Sequence, residues 1–445
     1  MSQVVTRIPP SPTGRFHLGT ARTALFNYLF ARHEGGRIVY RSEDTDRTRS
    51  EKQFEDEIIE GLHWLGISWD SFSRQSEHSE RHRELLENIV SEGKAYISHE
   101  PAKDDATSMV DVVRLKNPGR SVTFNDIIRG DITFHTGELG DFVIARSMTD
   151  PLYHFAVVAD DMDAGVTHVI RGEDHISNTP RQILIQEAIG APRPAYAHLP
   201  LIVDEHRAKL SKRKHVTSIM DYRDEGILPE ALVNYLALLG WNPGTDEEYF
   251  SLDELVRVFS IDGIQKGSAA WNRDKLLSVN QHWMRTLSDD DFIVRGQLTA
   301  PDETKLRKAL PLLKERAKTF GEARQMLAEG ELASLFTSPS ITAEKLQAKA
   351  LPGAPEEGTR SALEAVLAVL SGLRDGASAE DTKAAIMPLA DAAEATGKGG
   401  RGAMLWPLRY ALSGLDRSPD PFTLISILGK EESISRIRAA IGILE

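Results

Sequence analysis

Two stretches of this chain gather residue types suited to phosphate chemistry. The first reads Pro10-Ser11-Pro12-Thr13-Gly14-Arg15-Phe16-His17-Leu18-Gly19-Thr20. Its prolines and glycines build a tight turn, Gly19 permits close backbone approach, and a following helix offers unpaired N–H groups to an anion. His17 stands where an imidazole could donate to a triphosphate. A capping histidine in a plain turn explains a bare His-x-Gly equally well; the length of the whole stretch favours chemistry. The second is Lys209-Leu210-Ser211-Lys212-Arg213, with Lys214 following. Lysines flanking a serine between sheet and helix make a cationic clamp, and positive charge where pyrophosphate leaves stabilises a phosphoryl transition state. Taken alone, it also fits a basic surface loop.

The elements that must position these residues are legible in outline. Val4 to Ile8 reads as a buried strand, and Ala21 to Arg32 as a helix (Ala21, Leu25, Tyr28, Leu29) that stops at Gly35-Gly36. Arg37 to Arg41 is a second strand and Gln53 to Leu65 a second helix. That order implies a parallel sheet binding a nucleotide at its strand C-termini. From about 75 to 140 helices and then short strands interrupt it, and alternation resumes at Thr167 to Arg171 and Gln182 to Ile189. Beyond 223 the pattern is mainly helical, starting with the Pro-led helix Pro229 to Leu239.

The 41% hydrophobic and 27% charged residues are those of a soluble globular protein. No run of ~18 apolar residues offers a membrane span, and Met1 to Arg7 lacks the layout of a secretion signal. Cysteine is absent, which excludes disulfides and thiolate metal sites; a cytoplasmic location is expected. The formal charge of −13 argues on its face against a nucleic-acid partner, but local clusters decide. Six Lys or Arg stand between Lys305 and Lys318 against the single acid Glu315, and five between Arg207 and Lys214 with none. Either run fits an RNA contact or a solvated face.

Together the two phosphate stretches resemble the paired signatures of class I aminoacyl-tRNA synthetases, abbreviated His-Ile-Gly-His and Lys-Met-Ser-Lys-Ser. Arg7-Ile-Pro-Pro-Ser-Pro-Thr-Gly14 with His17-Leu-Gly-Thr-Ala-Arg-Thr-Ala-Leu25 is similar to the bacterial glutamyl-tRNA synthetases. Glutaminyl enzymes usually carry Glu and Asn in place of Ser11 and Thr13. Arg41-Ser-Glu-Asp-Thr-Asp46, Tyr153-His-Phe-Ala-Val157, Thr167-His-Val-Ile-Arg-Gly-Glu-Asp-His175 and Leu228-Pro-Glu-Ala-Leu232 also match in family order, as does Leu405 to Gly414 with Ile427 to Glu431.

The resemblance implies an α/β class I fold, with a Rossmann-type catalytic domain split by a shortened connective domain and followed by an all-α half. The catalytic domain would occupy 1–74 and 141–204, the insertion 75–140, a stem-contact domain 205–295, and two helical anticodon-binding domains 296–347 and 348–445. His17, Gly19, Lys209 and Lys212 would be catalytic. Arg7 would pair with the substrate's side-chain carboxylate, Ser11 and Glu43 would lie near its ammonium, and Arg171 would face its α-carboxylate. Tyr153 and Val157 would complete that pocket. Thr20, Asp174, Ile202, Ser211 and Arg213 would contact ATP. The implied activity is ATP-dependent joining of L-glutamate to tRNA-Glu, with tRNA-Gln left open, by a monomer using Mg²⁺ on the nucleotide.

Two departures stand out. Many family members carry a cysteine-rich zinc knuckle shortly after an Ala-Tyr pair; here Ala95-Tyr96 is followed by 15 residues (97 to 111) without cysteine, so no structural zinc is expected. Leu210 and Arg213 replace Met and Ser of the second signature, as is usual in the glutamyl branch. A short paralogue glutamylating a modified tRNA base, a non-catalytic relative and a small nucleotidyltransferase are the rival readings. The helical third and the surviving His17, Gly19, Lys209 and Lys212 tell against them.

Overall fold

The computed structural model describes residues 3–46, 48–102, 108–204, 206–208, 218–349, 355–395 and 400–445. The second basic stretch, with Lys209, Ser211, Lys212 and Arg213, lies outside them. The chain divides into two compact units, Met1–Asn280 and Gln281–Glu445.

The first unit is organised by parallel strands. β1 (Val5–Ile8) is buried throughout, and α1 (Leu18–His33) returns the chain to β2 (Arg37–Ser42), parallel to β1 from Val5↔Arg37 to Ile8↔Tyr40. α2 (Lys52–Trp64) leads to β3 (Ser71–Arg74), parallel to β2. The helix α1 opens at Leu18, earlier than apolar spacing alone marks it, because His17 caps it. It is buried on most of its circumference, Phe26 lying edge-on to Phe259 and Phe30 edge-on to His168.

The interruption is a layer of its own. A 3₁₀ turn at Gln75–His78 and α3 (Ser79–Ser91) precede β4 (Ala95–Pro101), β5 (Met109–Leu115), β6 (Ser121–Asp126), β7 (Gly130–His135), β8 (Phe142–Ser147) and β9 (Asp150–Pro151). Strands β4, β5, β8 and β9 form one antiparallel sheet, which takes in residues on both sides of 140. The hairpin β6–β7 leaves it: Asp126 pairs with Tyr196 of β11 (Ala195–Leu199). Leu85, Leu86 and Ile89 of α3 join Val113, Ile144 and Phe155 in one core.

α4 (Tyr153–Asp163), β10 (His168–Gly172) and α5 (Thr179–Ile189) restore the alternation, and β10 runs parallel to β11 from His168↔Ala195 to Gly172↔Leu199. β1 and β10 meet only at one end, where Thr167 and Val5 exchange hydrogen bonds of 2.8 and 3.0 Å. Further along they are not ladder partners, and the Ile170 carbonyl accepts instead from Asn27 Nδ2 (3.0 Å) and Arg7 Nη1 (3.3 Å). Side chains thus satisfy the backbone acceptor that the splay leaves open.

The unit continues through β12 (Ile202–Val203), α6 (Ile219–Glu225), α7 (Pro229–Leu238), α8 (Leu252–Val258) and β13 (Ala269–Ala270), with β12 parallel to β13. Leu228, Ala231 and Leu232 are core. Among the described residues no helix is long and apolar enough to cross a membrane.

The second unit is helical. After α9 (Arg273–Thr286) come α10 (Asp289–Gly296), α11 (Glu303–Arg316), α12 (Phe320–Ala328), α13 (Ala343–Leu346), α14 (Pro355–Gly372), α15 (Ala379–Ala395), α16 (Gly402–Ser413), α17 (Pro421–Leu428) and α18 (Lys430–Gly442). The basic run on α11 is drawn inward. Lys305 bonds Glu432 (2.6 Å), Arg307 bonds Asp290 (2.8 Å) and Glu303, Lys314 bonds Asp289 (2.7 Å), and Arg316 bonds Glu331 (2.5 Å). Its charge is largely committed within the unit.

Buried Arg436 ties α18 to three carbonyls, of Ser334 (2.7 Å), Leu412 (2.6 Å) and Thr337 (3.0 Å), and to Glu432. Arg436→Met would leave those acceptors buried without a donor, so a local loss of about 3 kcal/mol is expected. Hydrogen exchange of the α16 and α18 amides measures it; unchanged protection would refute the role.

Candidate active site

The splay between β1 and β10 opens a cavity of about 540 Å³ lined by Arg7, Ser11, His17, Gly19, Thr20, Glu43, Tyr153, Arg171, Asp174 and Ile202, among others. Every described residue expected to contact substrate lines it except Val157. Val157 is 2% exposed inside α4 and does not reach the space.

At the end of the cavity next to α1, His17 is the N-cap of that helix, in an extended conformation (φ −106°, ψ 161°). Its Nδ1 accepts from the Thr20 amide at 3.3 Å and its Nε2 lies 3.1 Å from Thr20 Oγ1, so the proton sits on Nε2. A Cβ on Gly19 would meet His17 Nδ1 and Cε1 at 3.3 Å. Gly19→Ala is therefore expected to lower kcat about tenfold by tilting the ring. The helix itself should not weaken, alanine being the better helix former. Wild-type activity would mean the ring tolerates the methyl.

The second signature's flanks are tied to the first. Ile219 N donates to the Phe16 carbonyl (2.8 Å), Ser218 bridges His17, and Glu57 accepts from Phe16 N, Arg15 and Ser218. On the other flank Ile202 lines the cavity, and the Asp204 amide donates to Ala208 O at 2.8 Å.

Deeper in, charge is arranged in two groups. Arg7, 2% exposed, holds Asp161 at 3.4 Å. Asp161 also takes Arg41 at 2.7 Å, and Arg41 reaches Glu43 at 3.0 Å. Burial alone would lower Arg41's pKa, but Asp161, Glu43 and Asp160 together raise it. Burial lifts the Glu43 carboxyl above its usual range against the pull of Arg41. Tyr153 is 36% exposed as a residue, yet its hydroxyl is sheltered, and burial with the nearby Glu43 carboxylate pushes its pKa to about 12.

Arg171 is different. It is 6% exposed, and its hydrogen bonds all go to neutral acceptors: His198 Nε2 (3.1 Å), Gln182 Oε1 (2.7 Å) and Thr179 Oγ1 (2.8 Å). Burial lowers its pKa. Behind it, Asp126 Oδ2 takes His198 Nδ1 at 2.6 Å, which fixes the tautomer that accepts from Arg171. Asp126, His198 and Asp161 are supports that sequence reasoning missed, since each lies far along the chain from the group it holds. Asp174 follows Gly172, where a Cβ would lie 2.5 Å from its Oδ1, so the glycine lets that carboxylate fold back.

A second cluster lies outside this cavity: His78, His82 and Asp160 bring their ligand-type atoms within 4.8 Å of one another. The sequence reading assigned no metal ligand, although a His-x-x-x-His spacing was there to be seen.

A split parallel sheet with a histidine-capped helix at its cleft defines the catalytic fold of a class I tRNA synthetase. Residues 3–105 and 98–278 match the family described as tRNA synthetases class I (E and Q), catalytic domain, and 277–441 match an anticodon binding domain. A glutamate tRNA ligase from Elizabethkingia meningosepticum, solved in complex with its amino acid, is 32% identical, with 100% of each chain covered and a TM-score of 0.86. A glutamate-tRNA synthetase from Elizabethkingia anophelis is also 32% identical, with 99% of this chain and 100% of that one covered and a TM-score of 0.82. The chain belongs to the glutamate and glutamine family of class I tRNA synthetases.

Proposed function

We propose that this chain is a glutamate–tRNA ligase, and the observation that carries the reading is the pairing of Arg7 and Arg171 with Glu43 in one cavity. Glutamate presents two carboxylates and one ammonium. Arg7 suits the side-chain carboxylate, Arg171 the α-carboxylate, and Glu43 with Ser11 the ammonium. ATP, with Mg²⁺ on its phosphates, lies towards His17, Thr20, Asp174 and Ile202. An α-carboxylate oxygen attacks the α-phosphorus, the bond to the β-phosphate bridge breaks, and pyrophosphate leaves. His17 donates from Nε2 to the phosphates, and Lys209, Ser211, Lys212 and Arg213 supply cationic and polar contacts from the second signature. A terminal ribose hydroxyl of the tRNA then attacks the glutamyl carbonyl and AMP departs. Positioning and electrostatics do the work, without a covalent enzyme intermediate.

Purified protein should glutamylate tRNA-Glu and catalyse glutamate-dependent ATP–pyrophosphate exchange, with glutamine at least about a hundredfold poorer for want of a second carboxylate. Running tRNA-Gln alongside decides the breadth of the tRNA partner. Failure to charge either tRNA with glutamate would overturn the reading.

A further inference from the structure

The mechanism above leaves Asp160 unused, although it is 4% exposed and heavily contacted. Its Oδ1 takes both His82 Nε2 at 2.7 Å and His78 Nδ1 at 2.9 Å, while its Oδ2 takes Gln75 Nε2 at 2.8 Å. His78 immediately precedes α3 and His82 lies in it, four residues on, so one helical turn presents two imidazoles to one carboxylate of α4. The guanidinium groups nearby are engaged mainly by the neighbouring carboxylates. Arg7 and Arg41 face Glu43, Asp160 and Asp161, two guanidinium groups against three carboxylates. Arg41 makes its shorter contacts to Asp161 and Glu43 and stands 3.7 Å from Asp160. Asp160 therefore leans chiefly on the two imidazoles rather than on a guanidinium.

We propose that His78, His82 and Asp160 bind a divalent transition-metal ion of the kind that takes imidazole and carboxylate ligands, such as Zn²⁺ or Co²⁺. Metal–nitrogen and metal–oxygen bonds of ~2.0–2.2 Å in a tetrahedral site put neighbouring ligand atoms about 3.4 Å apart. The hydrogen-bond separations of 2.7 and 2.9 Å are shorter than that edge, so small side-chain rotations that open each by about half an ångström would seat the ion. Gln75 steadies the other carboxylate oxygen, the outer support that metal ligands commonly carry. His82 borders a groove of about 1160 Å³ that leaves room for water to complete the coordination. On binding, each imidazole proton now shared with Oδ1 moves to that ring's other nitrogen, and the ion fastens the start of α3 to α4. This site shares nothing with a cysteine knuckle and sits at the base of the inserted layer.

The test uses the full chain stripped of metal with a chelator and titrated with Co²⁺ and with Zn²⁺, read by calorimetry and, for Co²⁺, by visible ligand-field absorption. One equivalent should bind, and affinity should fall at least tenfold in both His78→Ala and His82→Gln. His78 is the safer variant, its side chain being 34% exposed; its metal-free melting curve should match wild type. If His82→Gln misfolds, His78→Ala decides alone. No binding by the wild-type chain, or affinity unchanged in His78→Ala, overturns the proposal, the second outcome placing the ion on other histidines.

Discussion

Arg171→Ala is expected to lower kcat/KM for glutamate in ATP–pyrophosphate exchange by about a hundredfold or more. A guanidinium carries five N–H donors, and three are spent on His198, Gln182 and Thr179. One N–H on each Nη remains for a carboxylate. Two charge-assisted bonds at ~1.5–3 kcal/mol each, at 1.36 kcal/mol per tenfold, give that magnitude. Because the buried cation has only neutral hydrogen-bond acceptors, an incoming carboxylate should also stabilise the fold. L-glutamate is therefore expected to raise the wild-type melting temperature and to leave that of Arg171→Ala unmoved. Arg171→Lys should rescue little, since a point charge cannot hold His198, Gln182 and Thr179 together. A glutamate KM within threefold of wild type in the alanine variant would remove Arg171 from the pocket.

The support behind that arginine shows where sequence reading reaches its limit. Arg7, Glu43 and Arg171 were named through the motif resemblance, and the strands that carry or precede them, β1, β2 and β10, are local patterns that a sequence shows. Asp126 was not: it fixes the tautomer of His198 across 72 residues, through a hairpin that leaves its own sheet for the catalytic one. Distance misled in the other direction on α11. A run of six basic residues looked available to RNA, but acids such as Glu432, 127 residues from Lys305, fold back onto it. Val157 shows a different failure, since helical phase decides which side of α4 a residue takes, and a motif match does not carry phase. The outline of the fold came from periodicity, while the charge network came from contacts that no local pattern encodes.

Lys212→Ala is expected to lower kcat for adenylate formation by about 10²–10³-fold with the glutamate KM little changed. Ser218 bridges His17 and stands six positions after Lys212. At ~3.3–3.6 Å per residue, Lys212 is tethered within about 20 Å of that bridge. Negative charge grows on the departing pyrophosphate only as the reaction proceeds, so a cation aimed there binds the transition state more tightly than the ground state. One such group is worth ~3–4 kcal/mol. The same logic separates the two half-reactions. No pyrophosphate leaves when the glutamyl group moves from AMP to the ribose hydroxyl, so transfer from preformed glutamyl-adenylate should keep a rate within a few-fold of wild type. Single-turnover measurement of both steps reads the difference directly. Equal losses in both would make Lys212 a structural or tRNA-holding residue, and no loss in either would return the stretch to a basic surface loop.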